Sequence, residues 1–117
     1  MITLQNTVKE LLESTGAAVF YFHPQNWVQL PCISWRESMN RELKQAGGRE
    51  HLAELEYTVD VWSKSPAEAA ELAARVNAVL TAVRLRRDFS QDLFENGMHH
   101  RTMRYRCAAD RAGRIYQ

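Results

Sequence analysis

Residues 54–68 read Glu54-Leu55-Glu56-Tyr57-Thr58-Val59-Asp60-Val61-Trp62-Ser63-Lys64-Ser65-Pro66-Ala67-Glu68. In the first half Leu55, Tyr57, Val59 and Val61 alternate with Glu54, Glu56, Thr58 and Asp60. A strand turns successive side chains to opposite faces, so this pattern predicts a strand with one face in a core and one facing polar surroundings. The second half predicts a helix start. Ser65 suits the cap, Pro66 the first helical position, and Glu68 the third place of a capping box. Leu72, Val76, Val79, Leu80 and Val83 then form a stripe at helical spacing, with alanines between them that let the helix lie close to a sheet.

Working back toward the N-terminus, Leu4, Val8, Leu11 and Leu12 predict an amphipathic helix, with Thr3 placed to cap it and Gly16 to stop it. Ala17 to Phe22 is a short apolar run with the composition of a strand. His23-Pro24-Gln25-Asn26 is a predicted turn. Pro31 to Glu37 alternates again, Ile33 and Trp35 on one face and Cys32, Ser34 and Arg36 on the other. Residues 38–53 show no clear period, and they predict a long polar loop with room for a helical turn around Glu42; loops of that length are commonly functional.

Working forward, Asp88 to Glu95 predicts a short helical turn with Phe89, Leu93 and Phe94 on its apolar side, ended by Asn96-Gly97. His100 to Ala108 predicts a last strand, Met103, Tyr105 and Cys107 facing in and Thr102, Arg104 and Arg106 facing out. Residues 114–117 fit either a further strand or a tail. The expected fold is therefore α+β: a mostly antiparallel sheet of about four strands, with an N-terminal helix and a second long helix packed on it. Residues 1–117 are expected to form a single domain, since 117 residues leave room for one core.

The totals exclude several function classes. Hydrophobic residues make up 45% and charged residues 25%, and the net charge is +1, so neither nucleic acid nor a membrane surface exerts a strong pull on the whole chain. No apolar run approaches membrane-span length and no signal-peptide pattern opens the chain, which predicts assembly in a reducing cytoplasm. Cys32 and Cys107 are too few for a disulfide scaffold and fall within predicted strands. The charge is unevenly spread. Residues 84–117 hold eight arginines against four acidic residues, +4, and residues 1–83 hold seven basic against ten acidic, −3. Opposite-signed ends suit a protein that meets copies of itself head to tail.

No catalytic constellation is present. His23, His51, His99 and His100 stand outside any metal-ligand spacing, and adjacent histidines on a strand face opposite ways. Glycine-rich phosphate loops, nucleophile elbows and activated-cysteine contexts are all missing, so the expectation is no enzyme, no metal and no cofactor. Candidate contact residues remain. Trp35 shares a face with Ile33 and belongs to the core, whereas Trp62 falls on the polar face and is expected to be a partly exposed anchor, with Trp27 similar in its turn. Arg84, Arg86 and Arg87 follow a helix whose dipole favours them. Arg104 and Arg106, two apart on one strand face, suit contact with phosphates or with acidic residues of a neighbouring subunit.

The segment Val59-Asp60-Val61-Trp62-Ser63-Lys64-Ser65-Pro66-Ala67-Glu68-Ala69, with Val76-Asn77 after it, resembles the tail-completion (terminator) proteins of long-tailed bacteriophages. So do Arg87-Asp88-Phe89-Ser90-Gln91-Asp92-Leu93-Phe94-Glu95 and His99-His100-Arg101-Thr102-Met103-Arg104-Tyr105. The resemblance covers roughly residues 54–107. It implies a homohexameric ring at the head-proximal end of the tail tube that ends tube growth and enables head–tail joining. Its partners would be other copies of itself, the tail tube protein, a neck or head-completion protein, and genomic DNA passing through the lumen without sequence-specific binding. The implied place is the neck region of the virion. On charge and expected exposure, Trp62, Arg84, Arg86, Arg87, Arg104 and Arg106 are the candidates for subunit or lumen contacts. Two alternatives stand beside this: another neck ring protein, and a small nucleic-acid-binding module whose binding would be salt-sensitive.

Overall fold

The computed structural model describes residues 1–23 and 29–116. The predicted turn at 23–26 and the proposed anchor Trp27 fall largely or wholly outside the described residues. The order of elements is α1 (Gln5–Glu13), β1 (Ala18–Tyr21), β2 (Cys32–Ala46), β3 (Arg49–Ser63), α2 (Pro66–Thr81), β4 (Arg86–Glu95), β5 (Met98–Asp110) and β6 (Ile115–Tyr116). The strands form one sheet in the order β1-β2-β3-β5-β4, with β6 also paired to β5. β1 runs parallel to β2 and every other pairing is antiparallel. The architecture is α+β as expected, but the sheet has six strands where about four were expected.

The core face of the sheet carries Ile33, Trp35, Leu55, Tyr57, Val59, Val61, Met103, Tyr105 and Cys107, and α1 and α2 pack on it through Val8, Leu12, Leu72, Val76 and Leu80. Tyr57 ties the first residues to this layer. Its hydroxyl accepts from the Leu4 amide at 2.8 Å and donates to Glu37 Oε1 at 2.8 Å. Burial of the ring and hydroxyl pushes the phenol well above its ordinary value. Thr3, expected to cap α1, donates to Glu37 Oε1 at 2.6 Å instead, and the observed cap residue, Leu4, makes no side-chain cap bond.

Two sequence expectations are corrected. Residues 38–53 are neither loop nor helical turn. They are the distal halves of β2 and β3, joined by Gly47-Gly48 and paired from Met39↔Glu56 out to Ala46↔Arg49. Both glycines have positive φ, which a two-residue hairpin turn needs at both positions. β5 accompanies β3 only as far as Leu52, so the end of this hairpin stands out as an arm. The radius of gyration is 15.0 Å and the long axis 51 Å; a compact domain of this length has a radius of about 13 Å. Residues 88–95 are likewise strand, the edge strand β4. Phe89 and Leu93 are four apart, a spacing shared by one strand face and one helix face, and a bulge between Arg87 and Phe89 breaks the alternation that separates the two readings.

The α2 signals hold with one change. Ser65 Oγ accepts from the Glu68 amide at 3.3 Å, while the Glu68 carboxylate accepts from Ser63 Oγ at 2.6 Å, and Ser63 Oγ in turn accepts the Ser65 amide at 3.0 Å. The helix ends in a Schellman motif. The Leu85 amide donates to Leu80 O and the Arg84 amide to Thr81 O, with Arg84 in the left-handed region at φ 72°. That conformation strains a residue with a Cβ by about 1–2 kcal/mol. Replacing Arg84 with glycine is therefore expected to raise stability by about 0.5–1 kcal/mol net of the added unfolded-state entropy. Tyr57→Phe, which orphans the buried Leu4 amide, is expected to cost about 1–3 kcal/mol. Both are read by denaturant unfolding with the slope unchanged.

Candidate assembly surfaces

Opposite the helices, β2, β3, β5 and β4 present a second face on which no described helix lies. Its side chains are laid out by the register: Arg36 beside Thr58, Arg41 beside Glu54, Glu56 beside Arg106, Asp60 beside Thr102, and Arg104 beside Phe89. The charges are matched across strands. Arg41 NH2 lies 2.7 Å from Glu54 Oε1, and Arg106 NH2 3.0 Å from Glu56 Oε1. Arg106 Nε is 3.3 Å from Asp88 Oδ2, an ion-pair distance without hydrogen-bond alignment. Burial pushes the Glu56 carboxyl up, but hydrogen bonds from Arg106 and Ser38 and the charges of Arg106 and Arg104 outweigh it and hold it below its ordinary value. The same pairing raises Arg106. A guanidinium held between two carboxylates is poorly placed to take up a phosphate.

The candidate residues separate on this face. Trp62 is buried, 7% exposed, and not the partly exposed anchor expected from its position. Its indole donates to Ser34 Oγ at 2.9 Å and its ring stacks on His100 at 3.6 Å. His100 Nε2 sits 2.8 Å from Asp60 Oδ1 and Nδ1 3.4 Å from Glu95 Oε1. With Cys32 and Met98, Trp62 forms a second small core on the side of the sheet away from the helices, which is why a hydrophobic residue stands in the polar register. Arg104 is exposed, its guanidinium 4.3 Å from the centre of the Phe89 ring. Arg86 is exposed beside Arg106 across the strand pair. Arg87 faces the helix side, 3.4 Å from Asn77 Oδ1. Arg84 occupies the end of α2. The structure thus gathers Arg86, Arg104 and Arg106 on one face and leaves Arg84 and Arg87 apart from them.

Other surface features were invisible to composition. The arm exposes residues 41–49 and His51. At its base the turn after β5 is held by Asp110, whose Oδ1 accepts the amides of Ala112 at 3.0 Å and Arg114 at 2.9 Å. Its Oδ2 accepts Arg114 Nε and the Tyr116 hydroxyl, each at 2.9 Å. At the far end of β5 the turn Asn96-Gly97 carries Phe94, 65% exposed. Gly47-Gly48 and Asn96-Gly97 were the signals that could have announced both hairpins. Among the described residues no group of three or more His, Cys, Asp or Glu side chains could hold a metal ion, and no helix is long and apolar enough to cross a membrane. Cys32 and Cys107 are buried thiols pushed up to about 11 by burial.

The features that distinguish this molecule are thus a sheet face, an arm and a turn. The chain belongs to the family described as Tail completion protein gp17, whose model matches residues 2–110. It is accordingly a structural protein of the phage tail and part of the virion. No curated protein matches the chain.

The Asp110 turn has a checkable pH dependence. The Arg114 amide first, then the Tyr116 hydroxyl, the Arg114 guanidinium and the Ala112 amide, hold its carboxyl down at about 2, against the opposing effect of burial. A carboxyl depressed in the folded chain contributes fully above its unfolded value of about 3.9, and the contribution is lost as pH falls toward about 2. Hydrogen exchange at Ala112 and Arg114 is expected to lose protection across that window, and Asp110→Asn to abolish the pH dependence.

Proposed function

We propose that the protein caps the head-proximal end of the tail tube as a homohexameric ring, ends tube polymerisation and enables head–tail joining, acting structurally and without catalysis. The observation that carries this reading is the family match over residues 2–110, nearly the whole described fold. On this reading the tail tube protein and a neck or head-completion protein meet the two faces of the ring. Genomic DNA passes through the lumen without sequence-specific contacts. The protein takes its place in the neck of the virion after assembly in the host cytoplasm.

The candidate residues take different parts in this reading. Arg86 and Arg104, exposed on one face, are the contacts toward a neighbouring subunit or the lumen, and Arg84 and Arg87 serve the opposite flank. Arg106 orders the charges between β3, β5 and β4, and Trp62 supports the face from within. The matched charges around Arg106 weigh against a nucleic-acid-binding module, which needs an excess of positive charge on one surface.

Deleting the gene from the parent phage and viewing the lysate by electron microscopy tests this. Filled heads lying free beside tails of uncontrolled length are the expected outcome. Heads joined to tails of normal length would overturn the reading, and free tails of normal length would assign the protein to another step of the neck.

A further inference from the structure

The two ends of β5 carry complementary surfaces. At its C-terminal end, beneath the arm, lies a hollow of about 670 Å³ lined by Leu52, Ala108 and Tyr116 together with Lys44, Arg111, Arg114 and Asp110. Arg114 is paired to Asp110, but among the described residues neither Lys44 nor Arg111 has a carboxylate partner. Two unpaired cations around an apolar lining make a socket for an apolar side chain flanked by acids.

At the N-terminal end of β5 stands a knob of that description. Phe94 is 65% exposed, more than any other described large apolar side chain except Met1. Asp92 and Glu95 flank it with side chains 74% and 51% exposed, although Arg101 pairs with Asp92 and His100 Nδ1 lies 3.4 Å from Glu95 within the same chain. Phe94 stands two residues before the Asn96-Gly97 turn, both of whose φ are positive, with its ring 5.0 Å from that of His99. Thirteen residues of strand, about 40 Å at 3.3 Å per residue, separate knob from socket, so a copy cannot fill its own socket.

We infer that the β4–β5 turn of one copy docks into the hollow beneath the β2–β3 arm of a second copy, Phe94 entering between Leu52, Ala108 and Tyr116, with Asp92 and Glu95 facing Lys44 and Arg111. The inference deepens the ring reading above and rests on it for the partner's identity. The contact is heterologous: every copy offers one knob and one socket, and the assembly closes into a ring only if the rotation between neighbours allows it. The partner's arm becomes one wall of the site, which gives a two-stranded ribbon, marginal by itself in water, a surface to lie on.

Disulfide trapping in assembled particles tests it, using the full chain with Asn96→Cys and Ala112→Cys together and each alone. The native thiols are buried and give little background. On oxidation the double variant is expected to yield a ladder of multimers ending at six, and each single variant none. Adding Phe94→Asp is expected to lower the cross-linked fraction about tenfold or more. A double variant that enters particles but stays monomeric on oxidation would overturn the contact. So would single variants that cross-link as well as the double, or a ladder indifferent to Phe94→Asp. A ladder continuing past six would keep the contact and remove the ring. Normal tail length on deletion would remove the terminator role while leaving the ladder intact.

Discussion

The register of β3 is the constraint on which the rest depends. β3 pairs with β2 from Arg49 to Trp62 and with β5 from Leu52 to Ser63. Its alternation decides what each sheet face can be. With Leu55, Tyr57, Val59 and Val61 turned to the helices, Glu54, Glu56, Thr58 and Asp60 must lie on the other face. A slip of one residue would drive three carboxylates into the core and expose the residues α1 and α2 pack against. The cross-strand ion pairs are consequences of that register: Arg41, Arg106 and Arg36 find Glu54, Glu56 and Asp60 because β2 and β5 are held in step with β3.

The central elements were legible because one physical rule governed each. β3 has an uninterrupted period of two, and α2 has a cap, a proline and a stripe in agreement. The arm and β4 were not, because bulges interrupt both. Register shifts between Glu37 and Met39 and between Glu42 and Lys44 move side chains from one face to the other, so no alternation survives in the letters. In β4 the bulge near Asp88 does the same. Turn chemistry carried the missing information, since Gly47-Gly48 and Asn96-Gly97 are hairpin signals independent of period. Trp62 shows a different limit. Its position gave the right face, but burial on that face depends on Cys32 and Met98, distant in sequence, and no pattern local to β3 encodes them.

Shape and charge work together in this molecule. The polar sheet face is only partly neutralised within the chain: Arg41 and Arg106 are matched by Glu54 and Glu56, while Arg86 and Arg104 stand exposed on it. Further cations without a carboxylate partner among the described residues lie at the arm end, around Lys44, Arg49 and Arg111. The broad face thus joins matched ion pairs with a few unmatched cations, and the arm end adds more of the latter. Specific assembly needs both, since an interface is selected as much by what it declines as by what it accepts.

The placement of the two cysteines has a consequence of its own. Cys32 belongs to the small cluster around Trp62 and Cys107 to the main core, on opposite faces of the sheet. They cannot join each other without unfolding, and burial pushes each thiol up to about 11, away from the reactive thiolate. A virus particle passes from a reducing cell interior to air-exposed surroundings and back. A chain whose two thiols are both buried forms no disulfide through them in either setting while it stays folded.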